Sequence, residues 1–412
     1  MKVLLTDASG LTSRQVATRL SLGGHHVEAL TSSTFCVDRF TRHVRRLQLA
    51  PRFGDDPFAW LESAIDVYRA GRFDLLFPTQ EPVAVLAHQA ARLRSLGVRT
   101  LVPDFAALRR VQDKVSATRT LAEAGIPQPE TIVARAPADL AGWHRFPAFV
   151  KLPVGTASRT IWRVVDAHAL RALLDGGEIG PVTVEHPVVV QQAIAGDLVM
   201  VQALFDRGRL VGLHAVRRVC EGLAGGAAVK EALQVAGLRE QAARLGAELG
   251  WHGPLSADVL LGAAGPRWID VNPRLVEPMN ACLAGVDLVD RMLALAAGER
   301  LASAPDGRAG LRTHQAVLAL LLAATRGRAT IVTEVGRLAA RRAPYAASRE
   351  ELTPLRHDWR AASLPVLIVA ATLVRPQLWS VFGGAPSGYA LSATGWEALC
   401  ARPVAGSAES PC

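Results

Sequence analysis

The sequence predicts an open parallel α/β domain, then an α+β domain, then a smaller C-terminal segment. Over residues 1–105, short apolar segments alternate with helical patterns, which is typical of βαβ units. A long helical pattern follows at about residue 105, and strand patterns dominate from residue 148. The chain has 412 residues, half of them apolar, so it is long enough for two or three domains with buried cores.

The first hundred residues predict four strands with helices between them. The strands are expected at 3–5, 27–30, 73–77 and 98–102, and the helices at 14–22, 57–70 and 81–96. The turn after the first strand, residues 7–12, contains a single glycine. A dinucleotide-binding turn needs several glycines, so an independent NAD site is not expected there. Ligands are expected at the carboxyl ends of the strands.

The next two hundred residues read as one helix followed by several strands. The helical pattern runs from Phe105 to Ala124 and ends at Gly125, which is followed by two prolines. Strands are expected at 148–152, 160–165, 188–194, 199–205, 210–216, 255–261 and 267–271, with a helix at 233–249. Residues 206–208 (DRG) predict a hairpin turn.

The charge pattern excludes several classes of protein. The net charge is +9, and only four of the 46 basic residues are lysine: Lys2, Lys114, Lys151 and Lys230. Arginine is scattered, with no basic run and no interleaved aromatic residues, so nucleic-acid binding is not expected. The five cysteines show no metal-binding or disulfide spacing, which predicts a reduced, cytoplasmic setting. No apolar run is long enough to span a membrane.

Six segments of the first 300 residues are informative when they are taken in order. They are FDLLFPTQE, DK with AGIPQP, FVKLPVGTAS, VVVQQAIAGD, VRR with a glycine-rich stretch, and ADVLL with WIDVNPR. In this order they resemble the motifs of the ATP-grasp superfamily of carboxylate–amine and carboxylate–thiol ligases. The likeness is on the side of carbamoyl-phosphate synthetase and biotin carboxylase. It implies a pre-ATP-grasp domain at 1–105 and an ATP-grasp domain at 106–305, divided into lobes at 106–195 and 196–305.

The resemblance implies a site for ATP between the two lobes. Ammonium groups suit phosphate oxygens, and the two lysines that fall in the motifs are expected to contact the nucleotide phosphates. A small-residue loop is expected to close over these phosphates, and the end of a buried strand is expected to hold the base and the ribose. The residues assigned to nucleotide binding are Lys114, Lys151, Gly155, Ser158, Gln191, Gln192, Ile194 and Asp197.

A pair of carboxylates in the predicted hairpin suggests a metal site. Asp258 and Asp270 lie on its two strands, and Asn272 shares a face with Asp270 because side chains alternate along a strand. Two carboxylates and an amide oxygen suit octahedral Mg²⁺, or Mn²⁺, bridging phosphates. The family more often has glutamate at these positions. The resemblance also implies that Arg274 faces an acyl phosphate and that Arg217 or Arg218 meets the substrate carboxylate or the γ-phosphate.

Residues 306–412 lie outside the resemblance. Two very apolar stretches, 316–324 and 364–374, flank a group of arginines, and three tryptophans follow or accompany them. A small lid domain, an interfacial patch on an anionic membrane and a homodimer contact are all compatible with this composition.

The function expected from the resemblance is that of an ATP-dependent ligase. It would activate a small carboxylate as an acyl phosphate, couple it to an amine, and release ADP and phosphate. Two alternatives stay open at this point: a nucleotide-binding protein without catalysis, and an enzyme that works at a membrane surface on a lipid-like substrate.

Overall fold

The computed structural model describes residues 1–155, 160–354, 356, 358–383 and 388–404. The N-terminal part forms a parallel sheet in the order β3-β2-β1-β4. Its elements are β1 (Lys2–Leu5), α1 (Leu11–Leu22), β2 (His26–Thr31), β3 (Arg46–Leu49), α2 (Pro57–Gly71), β4 (Leu75–Phe77), α3 (Val83–His88) and α4 (Ala90–Ser95). The alternation of strands and helices predicted for this region is confirmed.

The predicted strand at 98–102 is wrong. The segment runs beside β4, and the Leu76 N–H donates to the Arg99 carbonyl at 2.9 Å, but no ladder of such bonds continues. Pro103 follows directly and has no N–H to extend the pairing. The segment therefore lies at the sheet edge without becoming part of it.

The single helix predicted from Phe105 to Ala124 is divided into α5 (Phe105–Gln112) and α6 (Lys114–Glu123). Asp113 between them has extended backbone angles, and its carboxylate accepts a hydrogen bond from the Ser116 N–H at 2.8 Å. The aspartate is thus the N-cap of α6. The break makes Lys114 the first residue of α6, where its N–H donates to the Pro153 carbonyl at 3.0 Å.

The smaller lobe is built on an antiparallel sheet in the order β5-β8-β6-β7. Its elements are β5 (Thr131–Ala134), β6 (Ala148–Lys151), β7 (Ile161–Val164), α7 (Ala167–Asp175) and β8 (Val188–Gln192). One face of the sheet buries a compact apolar cluster that includes Val150, Val190 and Leu170. Because side chains alternate, the other face is left for the cleft between the lobes.

The larger lobe contains a seven-stranded sheet in the order β13-β12-β9-β10-β11-β14-β15. Its elements are β9 (Asp197–Asp206), β10 (Arg209–Glu221), β11 (Ala227–Leu233), α8 (Leu238–Leu249), β12 (Gly253–Gly262), β13 (Gly265–Asn272), α9 (Met279–Ala284), α10 (Leu288–Ala296), β14 (Arg312–His314) and β15 (Arg349–Glu350). The last two strands come from the segment beyond residue 305. The domain boundaries given by the sequence stay a prediction, but this sheet draws on both sides of residue 305.

The hairpin turn predicted at 206–208 is confirmed. Arg207 and Gly208 both have positive φ, 47° and 86°, as the tight turn between β9 and β10 requires. Helix α8 covers one face of the sheet, and Gly246 allows its backbone to approach Phe205. A Cβ atom at residue 246 would lie 2.2 Å from the Phe205 ring.

The rest of the C-terminal segment is helical and packs against both the larger lobe and the N-terminal domain. Its helices are α11 (Ala316–Thr325), α12 (Arg328–Ala339), α13 (Ser363–Val374), α14 (Trp379–Phe382) and α15 (Ala393–Ala401). The Arg14 side chain of α1 donates to the carbonyl of Leu352, and the Arg402 carbonyl bonds His88 Nε2 at 3.0 Å. None of the helices in the described part of the chain is both long and apolar enough to cross a membrane.

A buried ion cluster joins these parts. Lys230 on β11 donates to Glu277, and to Glu351 just after β15 at 2.8 Å. The side chains of Lys230 and Glu351 are 2% and 0% exposed. Burial alone would lower the pKa of Lys230, but the two carboxylates raise it above its ordinary value. Lys230 therefore carries its charge at neutral pH and ties the C-terminal strand to the sheet.

We expect Lys230→Met to lower the free energy of unfolding by about 3–5 kcal/mol, because it leaves buried carboxylates without their counter-charge. Lys2→Met is the matched control, since the Lys2 side chain is 34% exposed in its ion pair with Glu28; it should cost less than about 1 kcal/mol. Urea denaturation followed by circular dichroism measures both. Equal midpoints for the two variants would contradict the proposed importance of the cluster.

Candidate active site

The β12–β13 hairpin places two carboxylates side by side. Asp258 is directly opposite Asp270, and Ser256 is directly opposite Asn272. The three predicted metal ligands therefore share one face of the sheet. Burial, followed by the neighbouring Asp270 charge, raises the pKa of Asp258 to about 7. The hairpin is thus a site of concentrated negative charge, which a divalent cation would relieve.

Lys151 joins the two lobes at the bottom of the cleft. It is the last residue of β6 and is only 6% exposed. Its Nζ donates to Gln191 Oε1 in the smaller lobe and to the Ile269 carbonyl on β13, both at 2.8 Å. Burial lowers the pKa of Lys151 to about 8, while the Asp270 charge opposes this effect and Lys114 adds to it.

The predicted phosphate and metal residues line one cavity of about 170 Å³. Lys114 enters it from the start of α6, and its Nζ donates to the Gly155 carbonyl at 3.3 Å. Lys151 lines a small adjoining cavity together with Gln191, Lys114 and Asp270. The residues that the sequence predicted and that line the main cavity are Lys114, Gly155, Asp258, Asp270, Asn272 and Arg274. Tertiary structure therefore brings residues from three separate motifs to one place.

Arg274 meets the N-terminal domain at the same cavity. Its Nη2 lies 3.6 Å from Glu81 Oε1, with side chains 13% and 10% exposed. Ser256 Oγ donates to the Arg274 carbonyl at 2.9 Å and fixes the backbone there. Sequence reasoning did not assign Glu81 to the site, although it follows β4 in the motif FDLLFPTQE. Its position after a strand of a parallel sheet was the signal that pointed to it.

The residues predicted to hold the base do not all line the same space, because successive side chains of β8 point to opposite faces of its sheet. Gln191 is buried beside Lys151, and its amide donates to Thr131 Oγ1 at 3.1 Å. Gln192 and Ile194 instead line an open groove of about 420 Å³ between the lobes, with Gln128 and residues 262–265 on its other walls. The small cavity at Lys151 shares Gln128 with this groove and Lys114 and Asp270 with the phosphate cavity.

Arg217 and Arg218 point to opposite faces of the large sheet. Asp258 is paired with Met200, which is paired with Val216, so these three side chains share a face. Arg218 follows Val216 by two residues and lies on that same face, whereas Arg217 lies on the other. The Arg218 charge is among those that lower the pKa of Asp258.

Arg217 is engaged away from the cavity. It donates to Glu231 at 2.8 Å and to Asp197 at 3.3 Å, and its side chain is 40% exposed. Arg218 donates to the Gly225 carbonyl at 2.7 Å in the glycine-rich turn. The structure thus sets Arg217 and Asp197 apart from the phosphate cavity. Ser158, assigned to the phosphate loop, lies outside the described residues.

The donor set of the hairpin fits a hard cation that also has ligands outside the protein. In the part of the chain that the structure describes, no three His, Cys, Asp or Glu side chains are grouped to hold a metal ion by themselves. Asp258, Asp270 and Asn272 offer oxygen atoms from one side only. Mg²⁺ is typically held by one or two carboxylates, with substrate phosphates and water completing its shell.

Solved structures share this architecture. The biotin carboxylase domain of a 2-oxoglutarate carboxylase from Hydrogenobacter thermophilus, solved with MgADP, ADP and bicarbonate, is 18% identical, with a TM-score of 0.59 over 76% of this chain and 73% of its own. An L-amino acid ligase from Bacillus licheniformis is 17% identical, with a TM-score of 0.56 over 73% and 75% of the two chains. An N5-carboxyaminoimidazole ribonucleotide synthetase in complex with ADP is 12% identical, with a TM-score of 0.59 over 82% and 85%.

These likenesses establish the fold. The chain shares the architecture of these three structures, and the predicted class, a parallel α/β domain followed by a two-lobed α+β domain, is confirmed. No family model and no curated protein sequence matches the chain. What the chain binds and which reaction it performs must therefore be inferred from the residues of its own candidate site.

The raised pKa of Asp258 predicts a pH-dependent stability. A folded-state pKa of about 7, above the ordinary value of 3.8, gives stability that is fully present below about pH 4 and is lost as the pH rises through 7. Asp258→Asn should remove this loss and raise the free energy of unfolding at pH 8 by roughly 2–4 kcal/mol. Urea denaturation without metal at pH 5 and pH 8 measures the effect.

The control is Asp175→Asn, at an exposed residue at the end of α7. It should leave the difference between the two pH values as in the unmodified protein. If the free energy of unfolding of Asp258→Asn changes between pH 5 and pH 8 as it does in this control, repulsion within the carboxylate pair does not destabilise the fold.

Proposed function

We propose that the protein is an ATP-dependent ligase that activates a small carboxylate as an acyl phosphate and couples it to an amine. The observation that carries the proposal is the shared cavity, into which Lys114, Asp258, Asp270, Asn272 and Arg274 all project. Two similar structures contain ADP, a biotin carboxylase domain and a ribonucleotide synthetase, and a third is named an L-amino acid ligase. Both the fold and the local charges thus favour the transfer of a phosphoryl group.

In this proposal the nucleotide lies across the Lys151 bridge. The base occupies the groove beside Gln192 and Ile194, and the phosphates extend to Lys114 and Lys151. Asp258, Asp270 and Asn272 would hold Mg²⁺ or Mn²⁺, which neutralises phosphate charge when bound. Gln191, turned inward, orients the Lys151 ammonium through its 2.8 Å hydrogen bond.

The proposed ligase reaction has two steps. An oxygen of the substrate carboxylate bonds to the γ-phosphorus, and the bond from that phosphorus to the ADP oxygen breaks. The amine nitrogen next bonds to the acyl carbon, the bond from that carbon to the phosphate oxygen breaks, and the amine loses a proton. Arg274 stabilises the negative charge that develops on the acyl phosphate.

Glu81 is proposed to receive the amine. It belongs to the N-terminal domain, follows β4, and lines the same cavity as the metal carboxylates. At 3.6 Å from Arg274 it lies where the acyl group would be held. A carboxylate there can bind an ammonium group and accept its proton as the amine attacks.

We also infer the compartment, the substrate size and the oligomeric state of the enzyme. We place it in the cytoplasm, where ATP is supplied and where the four cysteines of the described part would stay as the free thiols seen here. Its substrates are small molecules, because the cavity is closed in by the N-terminal domain and both lobes. A homodimer is part of the proposal, and one of the similar biotin carboxylase domains is a dimer.

The decisive experiment is a screen for ADP release across amino acids and small acids, with the condensed product detected by intact mass. Asp270→Asn should lower kcat/KM for ADP release by about a hundredfold or more, since a charge-stabilising group of this kind contributes about 3 kcal/mol. If no pair of substrates yields ADP and calorimetry detects no nucleotide binding, the proposed function is wrong.

Arg274, at the cavity, and Arg217, on the far face of the large sheet, provide a matched comparison. Arg274→Gln should lower kcat by about a hundredfold, because Arg274 is proposed to touch the acyl phosphate. Arg217→Gln should leave kcat and KM within about twofold, since Arg217 pairs with Asp197 and Glu231 on the far face. Equal losses for the two variants would contradict the assignment of Arg274.

The lowered pKa of Lys151 predicts that nucleotide affinity falls in alkaline solution. With a pKa of about 8, about one tenth of Lys151 is protonated at pH 9, so the apparent Kd for MgATP should be about tenfold higher than at pH 7.5. Lys151→Arg, whose side chain stays charged, should lose this pH dependence even if its affinity is lower. Calorimetry at the two pH values tests this, and an unchanged Kd for the unmodified protein would exclude Lys151 as a phosphate ligand.

A further inference from the structure

Helix α13 is apolar on every side but buried on only one. Leu364 and Ile368 pack into a cluster with the apolar side chains of α11 and are 4% and 1% exposed. On the opposite side, Val366, Leu367 and Val374 are 65%, 38% and 78% exposed. A helix that is apolar all round is normally covered on all its faces. Nothing in the described part of the chain covers these three side chains.

The apolar surface continues at both ends of the helix. Trp359, four residues before α13, is 73% exposed, and Val381 in α14 is 56% exposed. The Phe35 ring, 49% exposed, lies 5.9 Å from the ring of Phe382, also in α14. We call this surface the α13 face; it consists of Trp359, Val366, Leu367, Val374, Val381 and Phe35. Exposed apolar residues grouped in this way mark an interaction surface.

The segment that carries most of this surface has an excess of positive charge. Residues 316–382, which include α11 to α14, contain nine arginines and four acidic residues, so they carry +5 of the net +9 of the chain. All four carboxylates are sheltered: the side chains of Glu334, Glu350, Glu351 and Asp358 are 14%, 16%, 0% and 1% exposed. The solvent therefore meets guanidinium groups, with the acids of this segment held inside.

Arginines stand at both ends of the α13 face. Arg42, Arg45 and Arg360 line an open depression of about 370 Å³ together with Trp359. At the other end, Arg328 donates to the carbonyls of Leu373 and Val374 at 2.6 and 2.7 Å, and the exposed Arg375 follows them. Guanidinium groups form paired hydrogen bonds with phosphate oxygens. Tryptophan is typical of the boundary between lipid headgroups and acyl chains.

We propose that the α13 face docks the protein onto a membrane surface that contains anionic phospholipids. The apolar side chains enter the boundary between headgroups and acyl chains, and the arginines at both ends bind lipid phosphates. Helix α13 has 12 residues, about 18 Å of helix, so it lies along the surface. Two copies facing each other through this surface would bring two groups of positive charge together, which disfavours a symmetric dimer here. The docking does not depend on the proposed ligase activity.

The experiment is flotation of the full-length protein with vesicles of phosphatidylcholine alone and of phosphatidylcholine mixed with phosphatidylglycerol. We expect flotation only with the anionic vesicles, and less of it at high salt. Val366→Asn/Leu367→Asn/Val374→Asn should weaken binding to these vesicles by at least about tenfold. Because all three side chains are exposed, the variant should keep the thermal melting curve of the unmodified protein. Added inorganic phosphate should not release the bound protein, which separates a bilayer from a free anion site.

Two further variants complete the test. Val165→Asn/Val184→Asn changes exposed apolar residues of the smaller lobe, 55% and 68% exposed, and should bind vesicles as the unmodified protein does. Arg42→Gln/Arg45→Gln/Arg360→Gln should lose most of the salt dependence.

The proposal is overturned if the unmodified protein stays unbound to anionic vesicles at low salt, or if the apolar triple variant floats as well as the unmodified protein. It is equally overturned if sedimentation shows a dimer that the triple variant dissociates while no vesicle binding occurs. Capture of an acidic protein by this face, again without vesicle binding, would replace the membrane by that partner.

Discussion

The cleft depends on one buried ammonium group shared by two lobes. Lys151 ends a strand of the smaller lobe, yet one of its hydrogen bonds goes to the Ile269 carbonyl on the hairpin of the larger lobe. The next residue along that hairpin is Asp270, whose charge favours the protonated lysine. A buried charge without such partners would be costly. The same contact that holds the lobes together therefore keeps a cation beside two carboxylates.

Beside this bridge, the N-terminal domain lines the cavity, and the C-terminal segment is tied to the loop that carries Arg274. Glu81 reaches Arg274 from the N-terminal domain, and Lys230 holds Glu277 a few residues further along the same loop. Glu277 adopts a positive φ of 43°, a strained conformation that its surroundings must stabilise. Glu351, which follows β15, is thus connected through Lys230 to the loop that carries Arg274.

Several residues of the candidate site could be predicted from ordered motifs, because two of these motifs put a charged residue where an apolar pattern would otherwise continue. Lys151 interrupts an apolar strand, and Asp258 and Asp270 interrupt an apolar hairpin. Sequence could not reveal which of the adjacent Arg217 and Arg218 shares a face of the sheet with Asp258, since both lie on one strand and only its register decides. Nor did the helical pattern show that the helix breaks at Asp113, because one of the contacts that stabilise the break, from the Lys114 N–H to the Pro153 carbonyl, comes from a distant part of the chain.

The sequence by itself determined the order of the elements, the fold class and the chemistry on offer: scarce lysines, paired carboxylates and an arginine after a strand. These depend on local patterns, which a single segment contains in full. The tertiary structure alone decided that β14 and β15 extend the sheet of the larger lobe, that Glu81 joins the site, and that one side of α13 is left exposed. Each of these results depends on contacts between segments far apart in the chain, whose energies no local pattern records.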